Sequence, residues 1–299
     1  MFRNTPAAPA TDFVKYEALG NDYVVVDPRH TAFEPTPDNV RLVCDRHFGL
    51  GADGLLYGPL PAAEDGFRVQ IFNPDGTECA KSGNGLRIFA RYLRESGRAG
   101  TDAFTLHSLA GPSPVHVLDG SPGTVRIGLG PATTDSRAVG ATGPARPMLR
   151  EPLHAAGLDL RVTCVRLGNP HCVVLLDEDP ADEELARRIG PAVRDHALFT
   201  QRVNVELLNV IDRENIRIEI FERGAGYTLS SGNSACTAAF AARALGLAGS
   251  RTTVHMPGGR VTVDIDGDDR ISLSGEVRPV LRGHWAPRLG QRFAHREPV

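Results

Sequence analysis

The sequence predicts an α/β (α+β) chain of two similar domains that present matching loops to one site, and two observations carry that prediction. First, Phe72 leads ten residues on to Ser82-Gly83-Asn84-Gly85, and Phe221 leads ten residues on to Ser231-Gly232-Asn233-Ser234, an offset of 149 residues. A second echo, Gly20-Asn21-Asp22 and Gly168-Asn169-Pro170, falls at an offset of 148. Self-similarity at one offset is the signature of a duplicated architecture. Second, short apolar or β-branched runs alternate with Gly, Pro, Asp and Asn along the whole chain, so strands outnumber helices.

In the first half, Phe13–Tyr16, Tyr23–Asp27, Arg68–Phe72, Ala103–His107, Pro114–Leu118 and Thr124–Leu129 read as strands. In the second half, Leu160–Leu167, Cys172–Leu176, Val203–Ile211, Asn215–Glu222, Arg251–His255, Arg260–Ile265 and Arg270–Ser274 do so. Helical spacing is confined mainly to Asn39–Asp45, Gly85–Glu95, Ala181–Val193 and Ala235–Leu245. Two of these helices begin at the repeated Ser-Gly-Asn motifs. Leu86, Ile88, Phe89, Tyr92 and Leu93 give the first an apolar face, and Ala238, Phe240, Ala241, Ala244 and Leu245 give the second one. A buried helix whose N-terminus reaches a cleft offers free N–H groups and the positive dipole end to an anion such as a carboxylate. Ser-Gly-Asn alone is also a common capped turn. Its recurrence with matched lead-in strands favours the site reading.

The 299 residues suffice for two domains with their own cores. A formal charge of −3 gives no basic footprint, and no apolar run of eighteen residues occurs. The expectation is a cytoplasmic protein with no nucleic-acid or membrane partner and a frayed start over Met1–Thr11. The five cysteines, Cys44, Cys79, Cys164, Cys172 and Cys236, are odd in number and lack a C-x-x-C pair. That argues against a disulfide framework or a metal site, and Cys164, Cys172 and Cys236 read as small buried hydrophobes.

Six segments then carry a resemblance. They are Leu19-Gly20-Asn21-Asp22-Tyr23, the run Cys44 to Gly54, Phe72-Asn73-Pro74-Asp75-Gly76 leading to Ser-Gly-Asn-Gly, Gly168-Asn169-Pro170-His171, Arg202-Val203-Asn204-Val205 and Glu222-Arg223-Gly224-Ala225-Gly226. From about Phe13 to Gly283 the chain resembles diaminopimelate epimerase. The resemblance implies two pseudo-symmetric domains, each a curved antiparallel sheet around a central helix, over residues 1–130 (with 276–299 returning to it) and 131–275. It implies an isomerase of lysine biosynthesis that inverts an amino acid α-carbon in the interdomain cleft with no cofactor and no metal. The substrate would be a small amino acid with two charged ends, and the protein a homodimer.

The family carries its two proton-transferring thiols at the positions held here by Ser82 and Ser231. Neighbouring residues differ as well: Ala80-Lys81 precede the first, Gly226-Tyr227-Thr228 lead to the second, and Asn233-Ser234 follow it. Clustered change around both reacting positions reads as natural divergence rather than an engineered pair. A serine hydroxyl is a far weaker acid than a thiol and needs an adjacent base. By resemblance the catalytic set is Ser82, Ser231, His171 and Glu222. The substrate-binding set is Asn21, Asn73, Gly83, Asn84, Asn169, Asn204, Glu222, Arg223, Gly232 and Asn233, with Arg223 suited to a carboxylate and Glu222 to an ammonium. Three functions stay open: an epimerase working through serines; a diverged isomerase, lyase or cyclase using Lys81, Tyr227, His171 or Cys79 for proton transfer; and a non-catalytic amino acid binder.

Overall fold

The computed structural model describes residues 11–62, 65–118, 123–176 and 181–294, so most of the stretch expected to fray lies outside it. The chain divides into two compact units, Met1–Ile127 with Gly275–Val299, and Gly128–Ser274.

In chain order unit 1 contains β1 (Phe13–Ala18), β2 (Asn21–Val26), α1 (Pro37–Cys44), β3 (Gly54–Leu60), β4 (Phe67–Phe72), α2 (Gly83–Glu95), β5 (Ala103–Ser108) and β6 (Gly111–Val117). Strand β7 (Thr124–Pro131) then leads the chain into unit 2. There follow α3 (Ser136–Val139), β8 (Glu151–Ala155), β9 (Leu158–Leu167), β10 (Asn169–Leu175), α4 (Glu183–Arg194) and β11 (Asn204–Val210). Next come β12 (Asn215–Glu222), β13 (Gly226–Thr228), α5 (Gly232–Ala244), β14 (Arg251–Met256), β15 (Gly259–Ile265) and β16 (Arg270–Glu276). The chain finally returns to unit 1 as β17 (Arg278–Gly283) and α6 (Pro287–Ala294).

Both units are sheet-rich α+β folds built to one plan. In unit 1 the pairing runs β17–β1–β2–β3–β4–β5–β6–β7, with β2–β3 and β4–β5 parallel and the other neighbours antiparallel. In unit 2 it runs β8–β9–β10–β11–β12–β14–β15–β16, with β10–β11 and β12–β14 parallel and β13 added beside β12. Most neighbours are antiparallel, as expected of each sheet. Two parallel pairs enter each because parallel neighbours need a long crossover, and α1, α2, α4 and α5 each lie in one.

The central helix of each unit is the one that follows a Ser-Gly-Asn motif. In α2, Asn84 to Ala90 are buried without interruption and Tyr92 and Leu93 join them, against β1, β2, β3 and β6. Burying Leu86, Ile88, Phe89 and Leu93 contributes about 1.5–3 kcal/mol each before entropy is counted. In α5, Ser234 to Ala242 are all buried, and the run of Ala, Cys and Thr lets β9, β10, β11, β12, β14 and β15 approach from several sides. The outer helices are ordinary amphipathic ones. Thr36 caps α1 with Pro37 at the first turn, and the Asp182 carboxylate caps α4 by accepting from Leu185 N–H at 2.7 Å.

The returning segment completes the unit 1 core. Trp285 stacks near Phe13, Phe33 and Phe293 at centroid separations of 4.6, 5.9 and 4.8 Å. Its indole N–H donates to Thr31 Oγ1 at 3.1 Å and its backbone N–H to the Asp12 carboxylate at 2.8 Å. Short elements escaped the sequence reading: β3, β8, β13, β17, α3 and α6 lack the alternation or length that would have marked them.

Candidate active site

Each unit brings a set of the expected residues together at the N-terminus of its central helix. In unit 1, Ser82 is the N-cap of α2, and its Oγ accepts from Gly85 N–H at 3.0 Å and from the Tyr23 hydroxyl at 3.1 Å. Asn84 Nδ2 donates to Asn21 Oδ1 at 3.1 Å, and Asn21 Nδ2 donates to the Asp53 carboxylate at 3.0 Å. Behind them the fully buried Arg87 donates to Asn84 Oδ1 at 2.5 Å. The turn that presents Asn21 is braced by charge: Lys15 reaches Asp22 at 2.7 Å and Arg46 reaches Asp53 at 2.8 Å. These partners hold the Asp22 carboxyl below its ordinary value despite the opposing effect of burial.

Asn73 is placed differently. Its backbone N–H and side-chain amide both turn to Thr77, at 2.9 Å and 3.0 Å, inside the tight loop Asn73–Thr77. Among the alternatives for proton transfer, Cys79 donates its thiol to the Lys81 carbonyl at 3.3 Å just after that loop, and Lys81 is half-buried. Cys44 is no substitute thiolate, because burial pushes its thiol up to about 12.

In unit 2, Ser231 is the N-cap of α5 but makes no side-chain cap bond. Its hydroxyl lies close enough to the Glu222 carboxyl to lower that group's pKa. Desolvation raises the Glu222 carboxyl above the usual carboxylate range, against smaller lowering effects from Ser231, His171 and Arg223. With no side chain capping it, α5 leaves the N–H groups of Gly232, Asn233 and Ser234 at its mouth.

His171 is fully buried, its Nδ1 at 2.7 Å from Glu206 Oε1 and its Nε2 at 2.8 Å from Asn169 Oδ1. Asn204 Nδ2 lies 3.4 Å from the same Nε2, and Asn204 Oδ1 accepts the backbone N–H of Arg223 at 2.9 Å. Asn233 Nδ2 donates to Asn169 Oδ1 at 3.5 Å. Arg223 is half-buried near Glu222, and its charge is one of the effects that lower the Glu222 carboxyl.

The repeat seen in the sequence is therefore also a repeat of contacts. Asn84 to Asn21 in unit 1 corresponds to Asn233 to Asn169 in unit 2. Two of the residues that complete these sets were not singled out by sequence reasoning. Glu206 lay unremarked within the Val203–Ile211 strand, yet it is fully buried and anchors His171. Tyr23 was quoted within a motif without a role, although it precedes His171 by the repeat offset of 148.

One proposed alternative is displaced by register. Tyr227 lies opposite Phe221 in the β12–β13 pairing, hence on the face opposite to Glu222. Its hydroxyl donates to Glu219 at 2.8 Å, and the Arg187 guanidinium covers its ring at 4.7 Å. Burial and Glu219 push its phenol up, so it is no base at the Ser231 site. Among the described residues no group of three or more His, Cys, Asp and Glu side chains is arranged to hold a metal ion, and no helix is long and apolar enough to cross a membrane.

Comparison with known proteins matches this chain to the diaminopimelate epimerase family over residues 13–134 and 163–280. A protein named diaminopimelate epimerase 2 from a Nostoc species is 41% identical over 277 residues, covering 93% of this chain and 96% of that protein. The diaminopimelate epimerase of Moorella thermoacetica is 39% identical over 278 residues, covering 91% of this chain and 98% of its own. Solved structures share the fold at low identity. A phenazine biosynthesis protein of the PhzF family from Bacillus anthracis aligns with a TM-score of 0.63 at 16% identity over 91% of this chain and 97% of its own. A hydroxyproline epimerase from Agrobacterium vitis aligns with a TM-score of 0.61 at 15% identity over 93% and 94%. The duplicated fold, the paired helix N-termini and the family match agree: this chain belongs to the diaminopimelate epimerase family and is an isomerase of that amino acid epimerase and racemase type.

Proposed function

We propose that the chain inverts the α-carbon of diaminopimelate, or of a related amino acid with two charged ends, by two-base proton transfer with Ser231 and Ser82 addressing opposite faces of that carbon. The placing of the uncapped Ser231 hydroxyl beside the Glu222 carboxyl carries the proposal. A serine takes a proton only with a base beside it, and Glu222 is a carboxylate made more basic by burial. As Ser231 Oγ takes the α-proton, its own proton passes to Glu222 and the C–H electron pair stays on the substrate. The N–H groups of Gly232 and Asn233, with those of Gly83 and Asn84, bind the substrate carboxylate as charge develops there. His171, held by Glu206, fixes Asn169 and Asn204 at that edge. Arg223 takes the distal carboxylate, and Asn21 and Asn73 complete the binding set. No cofactor is part of the proposal.

Incubation with L,L-diaminopimelate and, separately, the meso form in deuterium oxide tests it. Deuterium at the α-carbon with inversion is the expected result. Ligand binding without exchange would make the protein a binder, and a new product without inversion would make it an enzyme of another reaction.

A further inference from the structure

Tyr23 stands in β2 directly opposite Gly54 of β3. A Cβ at Gly54 would lie 2.5 Å from Tyr23 Cε1 and 2.6 Å from the Phe72 carbonyl oxygen, so only glycine leaves room for the ring there. The ring is 7% exposed and held against the β3 backbone, with its hydroxyl aimed at Ser82 Oγ. Ser82 Oγ also accepts from Gly85 N–H. A hydroxyl has two acceptor sites and one proton. With Tyr23 and Gly85 donating to that oxygen, what Ser82 has left to offer is its own O–H.

We propose that Tyr23 is the positioning residue that makes Ser82 the acid of its half-site, pointing the Ser82 proton at the substrate and resupplying it. The inference rests on the epimerase reading above and assigns direction within it. In the return step the Ser82 O–H bond breaks and its proton joins the carbanion, whose electron pair becomes the new C–H bond. The Tyr23 phenol proton passes to Ser82 Oγ, and the phenolate takes a proton from water. The proton that Glu222 gained returns to water, so the cycle closes. A phenol ionises near pH 10, well below a serine hydroxyl. Passing the charge to Tyr23 therefore gives the pair the acidity of a phenol.

The test is Tyr23→Phe, which keeps the ring against Gly54, assayed with meso- and L,L-diaminopimelate. Expected is a fall in kcat of about 100-fold with KM within about twofold, in the range typical of general acid catalysis. The basic limb of the pH profile should vanish with the phenol. In a Ser82→Ala background the same change should cost little more, because the two act as one unit. Circular dichroism on each variant confirms folding, and the Ser82→Ala comparison keeps the question answerable if Tyr23→Phe alone is poorly folded. A wild-type protein that exchanges no α-proton overturns the epimerase reading and this inference with it. An active wild-type protein whose Tyr23→Phe variant keeps its kcat and basic limb, or loses as much again in the Ser82→Ala background, overturns this inference alone.

Discussion

In unit 1 the motif serine receives two hydrogen bonds, from Tyr23 and Gly85; in unit 2 the motif serine makes no cap bond to its helix and lies beside Glu222. The frames around them match. Both serines are N-caps of buried central helices, and in both an asparagine two residues on reaches back to the asparagine of a Gly-Asn turn. The contrast comes from two repeat positions. Unit 2 has Glu222 where unit 1 has Asn73, and His171 where unit 1 has Tyr23. On the proposed reading, a duplicated scaffold supplies one serine with a proton acceptor and the other with a proton donor, the polarity that inversion of a carbon requires.

The largest effect should come from abolishing the acceptor. Glu222→Gln should lower α-proton exchange by about 10²- to 10⁴-fold, measured by deuterium incorporation. The same change should raise stability at neutral pH. The folded carboxyl is raised above its unfolded value, so the cost of ionising it is present above the folded pKa and absent below the ordinary carboxylate range. In thermal melts the gain over wild type should shrink as pH falls through that range. Exchange in the wild type should in turn rise with pH along a limb displaced above that of an ordinary glutamate.

Erasing the contrast is the next test. Ser82→Cys with Ser231→Cys gives both half-sites the same group, one that ionises near pH 8.5 unaided. Exchange should rise about tenfold or more, and no gain would mean that the retained shell no longer holds diaminopimelate.

Two smaller effects sharpen the comparison through stability. Asn84→Ala removes a short bond from the buried Arg87 and should cost about 1–3 kcal/mol in denaturant melts. Asn233→Ala loses only a 3.5 Å contact and should cost a few tenths, roughly the surface-substitution level. Ser82→Ala forfeits a helix cap, about 1 kcal/mol. Ser231→Ala forfeits none, so its effect should fall on exchange far more than on stability.

Much of this was legible beforehand because the duplication left identical words in the sequence. The repeat located Ser82, Ser231 and both central helices, and periodicity found thirteen of the strands near their observed bounds. Direction was not legible. Nothing in Ser-Gly-Asn says whether its hydroxyl will cap the helix or not, since that depends on a tyrosine 59 residues upstream or a glutamate nine residues upstream. The parallel pairs were missed because β-branched runs read alike whichever neighbour they join. Tyr227 was misplaced because side-chain face follows from register across the β12–β13 turn, which single-strand patterns do not encode.

The edge strand beside the first long strand is filled in two ways. In unit 2, β9 is flanked by β8, its neighbour in a hairpin; in unit 1, β1 is flanked by β17, from the other end of the coding order. On the ribosome, unit 2 is therefore complete in sequence while unit 1 still lacks an edge strand and the tryptophan that seals its aromatic core. At roughly 5–20 residues per second, β1 waits on the order of ten seconds or more for that partner. Its open edge is the surface that a nascent-chain chaperone would have to cover in the interval.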